Sequence, residues 1–240
     1  MYGPFNTDTK ALVKRADLNS NNSRYDLESW IVTQLSFKPA MKILDLGCGT
    51  GRQLLAFSSC VDSDSKIYGL DISPAAVEEA KKLVSKDARI HTIQGSFDEE
   101  IEGRYDLITS TYAIYYSGNL SRVMALLRSN LCHDGKIFIC GPGEGTNKEF
   151  IELVNKVQPS SLNAIPDFIG PEILETLGRV YKNHRVTRLY NLITFQSPQQ
   201  LMQWWSNHNS YIPSLHEKVE ASVDGSFEVT KNVLGVLFYA

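Results

Sequence analysis

Glycine stands at every second position in Gly47-Cys48-Gly49-Thr50-Gly51, directly after the apolar run Ile43-Leu44-Asp45-Leu46. Glycine tolerates positive φ and lacks the Cβ that would hold a ligand away, so backbone here is suited to a close approach. A dinucleotide loop needs a third glycine, but counting from Gly47 and Gly49 that position holds Arg52. No G-x-x-x-x-G-K-[ST] run follows, so a triphosphate clamp is not supported either. Asp71 ends the next apolar run about 20 residues on, where a carboxylate accepts from both hydroxyls of a ribose. Loop and acid together predict a ligand with a ribose and without phosphates.

These residues need a sheet to hold them. Short apolar runs alternate with longer amphipathic segments, the pattern of a parallel sheet flanked by helices. Strands are predicted over Lys42–Leu46, Lys66–Asp71, Arg89–Gln94, Tyr105–Ser110 and Lys136–Gly141. Ser73 and Pro74 open a helix that turns Val77, Ala80 and Val84 inward. A second helix over Asn119–Leu131 buries Leu120, Val123, Leu127 and Leu131, and Asp134-Gly135 turns it into the next strand. Upstream, Ser23-Arg24-Tyr25-Asp26 reads as a capping box for a helix over Arg24–Phe37. The asparagine-rich stretch Asp17–Ser23 disfavours a helix.

The expected organisation is an arm over 1–23 and a core over 24–145, followed by cap segments and closing strands of the same domain over 146–240. Pro142, Pro159, Pro166, Pro171, Pro198 and Pro213 break the last part into short helices around a long strand, His184–Phe195. Phe227–Ala240 closes the sheet, with Lys231-Asn232 as an interruption. The fold class is therefore α/β: a Rossmann-like, mostly parallel seven-stranded sheet with a small helical cap.

Composition narrows the function. The 240 residues are 42% hydrophobic and 21% charged with a net charge of −3, a globular mix that advertises no nucleic-acid partner. The longest apolar run, Val233–Ala240, is far short of the ~20 residues that span a bilayer. The start of the chain lacks the apolar core of a signal peptide. The cysteines, Cys48, Cys60, Cys132 and Cys140, show no metal-ligand spacing. No metal and no membrane are expected, and a cytoplasmic location is.

Asp45-Leu46-Gly47-Cys48-Gly49-Thr50-Gly51, then Asp71, then Tyr105-Asp106-Leu107-Ile108 resemble the successive signatures of class I S-adenosylmethionine methyltransferases over about Lys42 to Gly141. The resemblance implies S-adenosylmethionine as cofactor and S-adenosylhomocysteine as product. It implies binding residues Asp45, Gly47, Gly49, Gly51, Asp71, Ile72, Ser96, Phe97, Ser110 and Thr111, with Asp71 on the ribose and Ser96 and Phe97 at the adenine. Many relatives carry an aspartate where Ser96 stands. It also implies an N-terminal helix over the site, where Arg24 or Tyr25 meets the methionine carboxylate. After the fourth strand, relatives acting on nucleic-acid bases or glutamine amides carry an acidic or asparagine residue, two prolines and an aromatic. This chain reads Ser110-Thr111-Tyr112-Ala113-Ile114-Tyr115-Tyr116 instead and is more similar to small-molecule enzymes.

Tyr112 and Tyr116 either pack the sheet edge or meet the acceptor, and form the preferred substrate pair. Glu144 and His208 are the candidate proton acceptors, against a plain surface-charge reading. Trp204 and Trp205 are expected in packing. The implied activity is methyl transfer to an O, N or C nucleophile of a small molecule by a monomer or homodimer. Alternatives are an enzyme acting on RNA or protein, or a non-catalytic cofactor-binding regulator.

Overall fold

The computed structural model describes residues 9–239. Chain order is α1 (Thr9–Asn22), α2 (Leu27–Thr33), β1 (Lys42–Leu46), α3 (Arg52–Ser58), β2 (Lys66–Asp71), α4 (Pro74–Val84), β3 (Ile90–Gln94), β4 (Tyr105–Thr111). After a 3-10 turn at Ile114–Tyr116 come α5 (Leu120–Ser129), β5 (Leu131–Pro142), α6 (Lys148–Val157), α7 (Pro171–Val180), β6 (Asn183–Phe195), α8 (Pro198–Trp205), α9 (His216–Glu220) and β7 (Phe227–Tyr239).

All seven strands form one sheet in the order β3-β2-β1-β4-β5-β7-β6. The pairs β1/β2, β2/β3, β1/β4 and β4/β5 are parallel. Strand order reverses between β1 and β4, the crevice where open α/β sheets bind ligands at their carboxyl ends. The buried runs that predicted these strands explain them: four of five residues of β1 are buried, as are five of seven in β4, as a sheet covered on both faces requires.

The chain divides into two units that interleave in sequence. The sheet unit comprises 28–141, 168–187 and 234–239; the helical unit comprises 9–27, 142–167 and 188–233. The sheet unit packs Leu44, Leu46, Ile108, Val123, Leu127, Ile137 and Phe238 in its core. Ser73 caps α4 by accepting from the Ala76 N–H at 3.3 Å, and Val77, Ala80 and Val84 are buried as their spacing predicts. Asn119 caps α5 through the Arg122 N–H. The helical unit packs Phe150, Val154, Phe195, Leu201, Trp204, Trp205 and Val229, so both tryptophans are core residues.

Several expectations change. Residues 9–22 are helical, although the sequence predicts an arm over 1–23; residues 1–8 lie outside the described residues. The asparagines that disfavour a helix here bond without disrupting it: the Asn22 side chain donates to Leu18 O at 2.7 Å, and Asn19 accepts from Trp204 Nε1 at 2.9 Å. Helix α2 begins at Leu27 rather than Arg24 because β6 takes the backbone before it. Ser23 bridges Ile193, and the Arg24 N–H donates to Leu192 O at 2.9 Å. The Asp134-Gly135 turn is absorbed into β5. Leu131 pairs with Tyr105 and Lys136 already with Leu107, so the residues between them bulge out of register. Lys231-Asn232 does not break β7, and the unit boundary falls just beyond, after Val233. Residues 168–187 and 234–239, beyond the expected core over 24–145, cluster with the sheet unit.

Candidate active site

In the sheet unit, the carboxyl ends of β1, β2 and β4 bring together most of the residues singled out by sequence. The glycine loop leaves β1 and is pinned to β2: the Gly47 and Cys48 N–H groups donate to Leu70 O at 2.7 and 3.0 Å. Gly47, Gly49 and Gly51 have φ of +69°, +54° and +87°, values that L side chains adopt at a cost. At Gly47 a Cβ would also stand 2.2 Å from the Ala113 Cβ, so glycine is obligatory there.

Asp71 organises this loop as well as facing it. Its Oδ2 accepts from the Gly49 N–H at 2.8 Å, and its Oδ1 from the Ser73 N–H at 2.9 Å. Each carboxylate oxygen keeps a lone pair for a further donor, so a ribose diol fits beside the loop it shapes. Ile72, next along, is 44% exposed, an apolar surface at the mouth of β2.

Asp45 is 2% exposed and accepts from Thr109 Oγ1 at 2.7 Å. Burial raises its pKa to about 7, the Thr109 hydrogen bond opposes the rise, and the charge of Asp71 adds to it. Two carboxyls thus share a poorly hydrated corner, and a cationic group set beside them would return Asp45 to carboxylate. Gln53, in the first turn of α3, is buried with neither amide atom hydrogen-bonded, the condition of a polar group that a ligand completes. Corner and amide fit a cation-bearing nucleoside.

Ser110 is engaged within the sheet. It is 0% exposed, its hydroxyl donating to Leu46 O at 2.9 Å and accepting from the Ile114 N–H at 3.1 Å. It ties β1 to the turn after β4. Thr111 follows at the strand end, and Ser96 accepts from the Asp98 N–H at 3.1 Å. Phe97 is partly buried against the core.

Tyr112 sits just past β4 with φ +54°, its N–H held by Cys140 O at 2.8 Å. A non-glycine residue kept in the left-handed region is strain of the kind that gathers at functional sites. Burial pushes its phenol pKa up, so the hydroxyl stays protonated. Tyr116 stacks at 4.6 Å on Tyr115, which meets Phe168 at 5.7 Å, over Gly141 at the end of β5.

Tyr115 and Phe168 complete an aromatic wall that sequence reasoning missed. Phe168 arrives from far along the chain, and only the glycine needed at 141 hints at it. Thr109 was missed as well, though polar Thr109 and Ser110 inside the buried stretch of β4 are a visible signal. Arg52, where a dinucleotide loop would place glycine, pairs with Glu28 of α2 at 3.0 Å.

The remaining expected residues belong to the helical unit. The backbone of Tyr25 is clamped by Asn191, which accepts from its N–H at 3.0 Å and donates to its carbonyl at 2.8 Å; the ring is 47% exposed beneath the Arg24 guanidinium. Glu144 is exposed, its N–H bonded to Asp167. His208 lies 5.2 Å from the Trp204 ring, and burial, then Lys231 and Arg15, push its pKa well below the usual histidine value. Among the described residues, no cluster of His, Cys, Asp or Glu is placed to hold a metal ion, and no helix is long and apolar enough to cross a membrane.

Fold and loop define the class: a Rossmann-like α/β protein of the class I methyltransferase type. The family model described as a methyltransferase domain matches residues 37–203, and the chain belongs to that family. A malonyl-[acyl-carrier protein] O-methyltransferase of Priestia megaterium is 31% identical over 151 residues, 60% of this chain and 52% of that protein. The aklanonic acid methyltransferase DauC of a Streptomyces is 28% identical over 105 residues, 42% of this chain and 48% of that one. The chain thus spans about half the length of these two relatives. Among solved structures, phosphoethanolamine N-methyltransferase 2 of Haemonchus contortus with S-adenosyl-L-methionine superposes with a TM-score of 0.62 at 15% identity, covering 96% of this chain and 57% of that one. The YcgJ protein of Bacillus subtilis does so at 0.60 and 14%, covering 88% and 97%.

Proposed function

We propose that the chain is an S-adenosylmethionine-dependent methyltransferase acting on an O, N or C nucleophile of a small molecule, with S-adenosylhomocysteine as product. The observation that carries this reading is the acidic glycine loop, where Asp71 shapes the backbone of the loop and Asp45 lies buried without a cation. When bound, the cofactor supplies a methyl group activated by its sulfonium. The chain's own part is to bind and align. Asp71 takes the ribose hydroxyls, Ile72 the adenine face, Ser96 and Phe97 its edge, and Gly47, Gly49 and Gly51 admit the methionine portion. Thr111 lines the same site.

Tyr112 and Tyr116 are proposed to line the acceptor, with Tyr115 and Phe168 beside them. Aligning two reactants in a dry site supplies most of the acceleration in such a transfer, and a base is needed only where the nucleophile holds its proton at neutral pH. Burial, then Lys231 and Arg15, hold His208 weakly basic. Four free cysteines support a reducing, cytoplasmic setting, and a monomer or homodimer remains the proposed state.

The small-molecule reading draws support from the two relatives named for aklanonic acid and for a carrier-bound malonyl group. A protein acceptor has support too, from a ribosomal protein L11 methyltransferase of Paraburkholderia phytofirmans, 31% identical over 106 residues, 44% of this chain and 33% of that protein. Incubation with methyl-labelled cofactor and a cell extract, followed by separation by size, tests both. Label in the small fraction supports the proposal, and label confined to protein or RNA replaces its substrate class. Cofactor binding with no transfer at all would favour a regulator.

A further inference from the structure

Two basic side chains of the helical unit meet at one aromatic ring, and a third acts on both. Lys231 Nζ stands 4.8 Å from the centroid of the Trp204 ring, and the His208 ring stands 5.2 Å from the same centroid on another side chain's approach. The indole Nε1–H of Trp204 donates to Asn19 of α1 at 2.9 Å. Arg15 lies one helical turn before Asn19, on the same face of α1, close enough for its charge to act on both Lys231 and His208. Helix α1, the turn after α8 and strand β7 thus deliver one cation or titratable base each.

Lys231 faces inward by its position in the strand. Val229 and Val233, two residues to either side, are both buried, and residues two apart in a strand share a face. A lysine in such a row is costly unless an opposite charge meets it. None does: the charges that act on Lys231 and His208 are those of other cations, and among the described residues no carboxylate forms an ion pair with Arg15, Lys231 or His208. Glu149 of α6, near in sequence to none of them, is taken by the N–H and hydroxyl of Thr230 at 2.8 and 2.6 Å. Asp167 is held by both guanidinium nitrogens of Arg188. Glu149 and Asp167 are therefore held by other partners.

We propose that Lys231 and His208, set against Trp204, form with Arg15 of α1 a binding site for the oxyanion of a small ligand, a carboxylate or a phosphate. The missing partner of this cluster is a compact negative group, which would accept hydrogen bonds from a guanidinium fork and an ammonium, the donors best matched to oxyanions. Trp204 offers an apolar wall to whatever body carries the charge. This site belongs to the helical unit alone and stands or falls independently of cofactor binding.

The test is a calorimetric titration of the intact chain with sodium phosphate and, separately, with sodium benzoate, in chloride at constant ionic strength and mildly acidic pH. Saturable binding of either anion, weakened at least about tenfold in Lys231→Met and in Arg15→Gln, is the expected result. Phosphate alone binding would assign a phosphate ester, benzoate alone a carboxylic acid, and each supports the site. Lys231→Met replaces an uncompensated cation by an apolar chain of similar length, so it is expected to stay folded. The melting temperature gives a second readout: the favoured anion should raise it in the wild type and not in Lys231→Met. No saturable binding by either anion, or binding unchanged in both variants, would overturn the proposal.

Discussion

The glycine-loop corner of the sheet unit and the Trp204 cluster of the helical unit are mirror images in charge. The first buries a carboxyl, Asp45, whose nearest charge is another carboxylate. The second crowds Lys231, Arg15 and His208 with no carboxylate among them. Folding alone accounts for neither, since packing would be served better by apolar residues of similar size. The difference in sign teaches what each region awaits: a cationic nucleoside in the first, an oxyanion in the second.

The largest expected effects would break this comparison at its root. Asp45 has a folded value of about 7 against 3.8 unfolded, so the folded chain holds the extra proton between those values. Stability should therefore fall as pH rises from about 4 to about 7, by an amount on the order of 3 kcal/mol, and Asp45→Asn should flatten that limb. Lys231 is the reverse. Burial, then Arg15, lowers it from 10.5 to about 7, so the unfolded chain holds the extra proton and stability should rise from about pH 7 to about 10.5. Lys231→Met should flatten the alkaline limb by a similar amount. Urea denaturation across pH reads both, and a flat wild-type profile would mean that the two charges are compensated after all.

Gly47→Ala comes next and sharpens the sheet-unit side. A Cβ there meets Ala113 at 2.2 Å on a backbone with φ +69°, so a loss of about 3 kcal/mol is expected. Adding Ala113→Gly should relieve the clash and leave the cost of the backbone, about 1 kcal/mol. No recovery would place the strain elsewhere.

Tyr116→Phe should have the smallest effect. If the ring lines the acceptor without moving a proton, kcat falls by less than about tenfold; a loss of about a hundredfold or more would make its hydroxyl a proton-transfer group.

The two regions also differ in how far sequence reveals them. The loop, Asp71 and the Ser73-Pro74 helix start are local features, in which types and spacing within a few residues dictate geometry. The strands from β1 to β4 were legible for the same reason, their apolar runs ending within a residue of the observed ones. What sequence did not carry is distance along the chain. Asp71 was legible as a carboxylate at the sheet's carboxyl edge, for which a ribose is proposed, but not as the acceptor that organises Gly49 and Ser73. The bonds of the Ser110 hydroxyl to Leu46 and Ile114 were likewise beyond the reach of sequence. Phe168 reaches Tyr115, and Arg15 and Lys231 reach His208, only through tertiary folding. Lys231 even read as a break in β7, because a charge in an apolar row suggests an interruption unless its surroundings are known.

The most direct test of the central claim is calorimetric binding of S-adenosylmethionine to the wild type and to Asp71→Ala. Removing a carboxylate that holds two backbone N–H groups and is assigned the ribose diol should weaken binding by about 10- to 100-fold, from a wild type that saturates at one molecule per chain. Absence of binding in the folded wild type, or equal affinity in the variant, would contradict the assignment of this corner as the cofactor site.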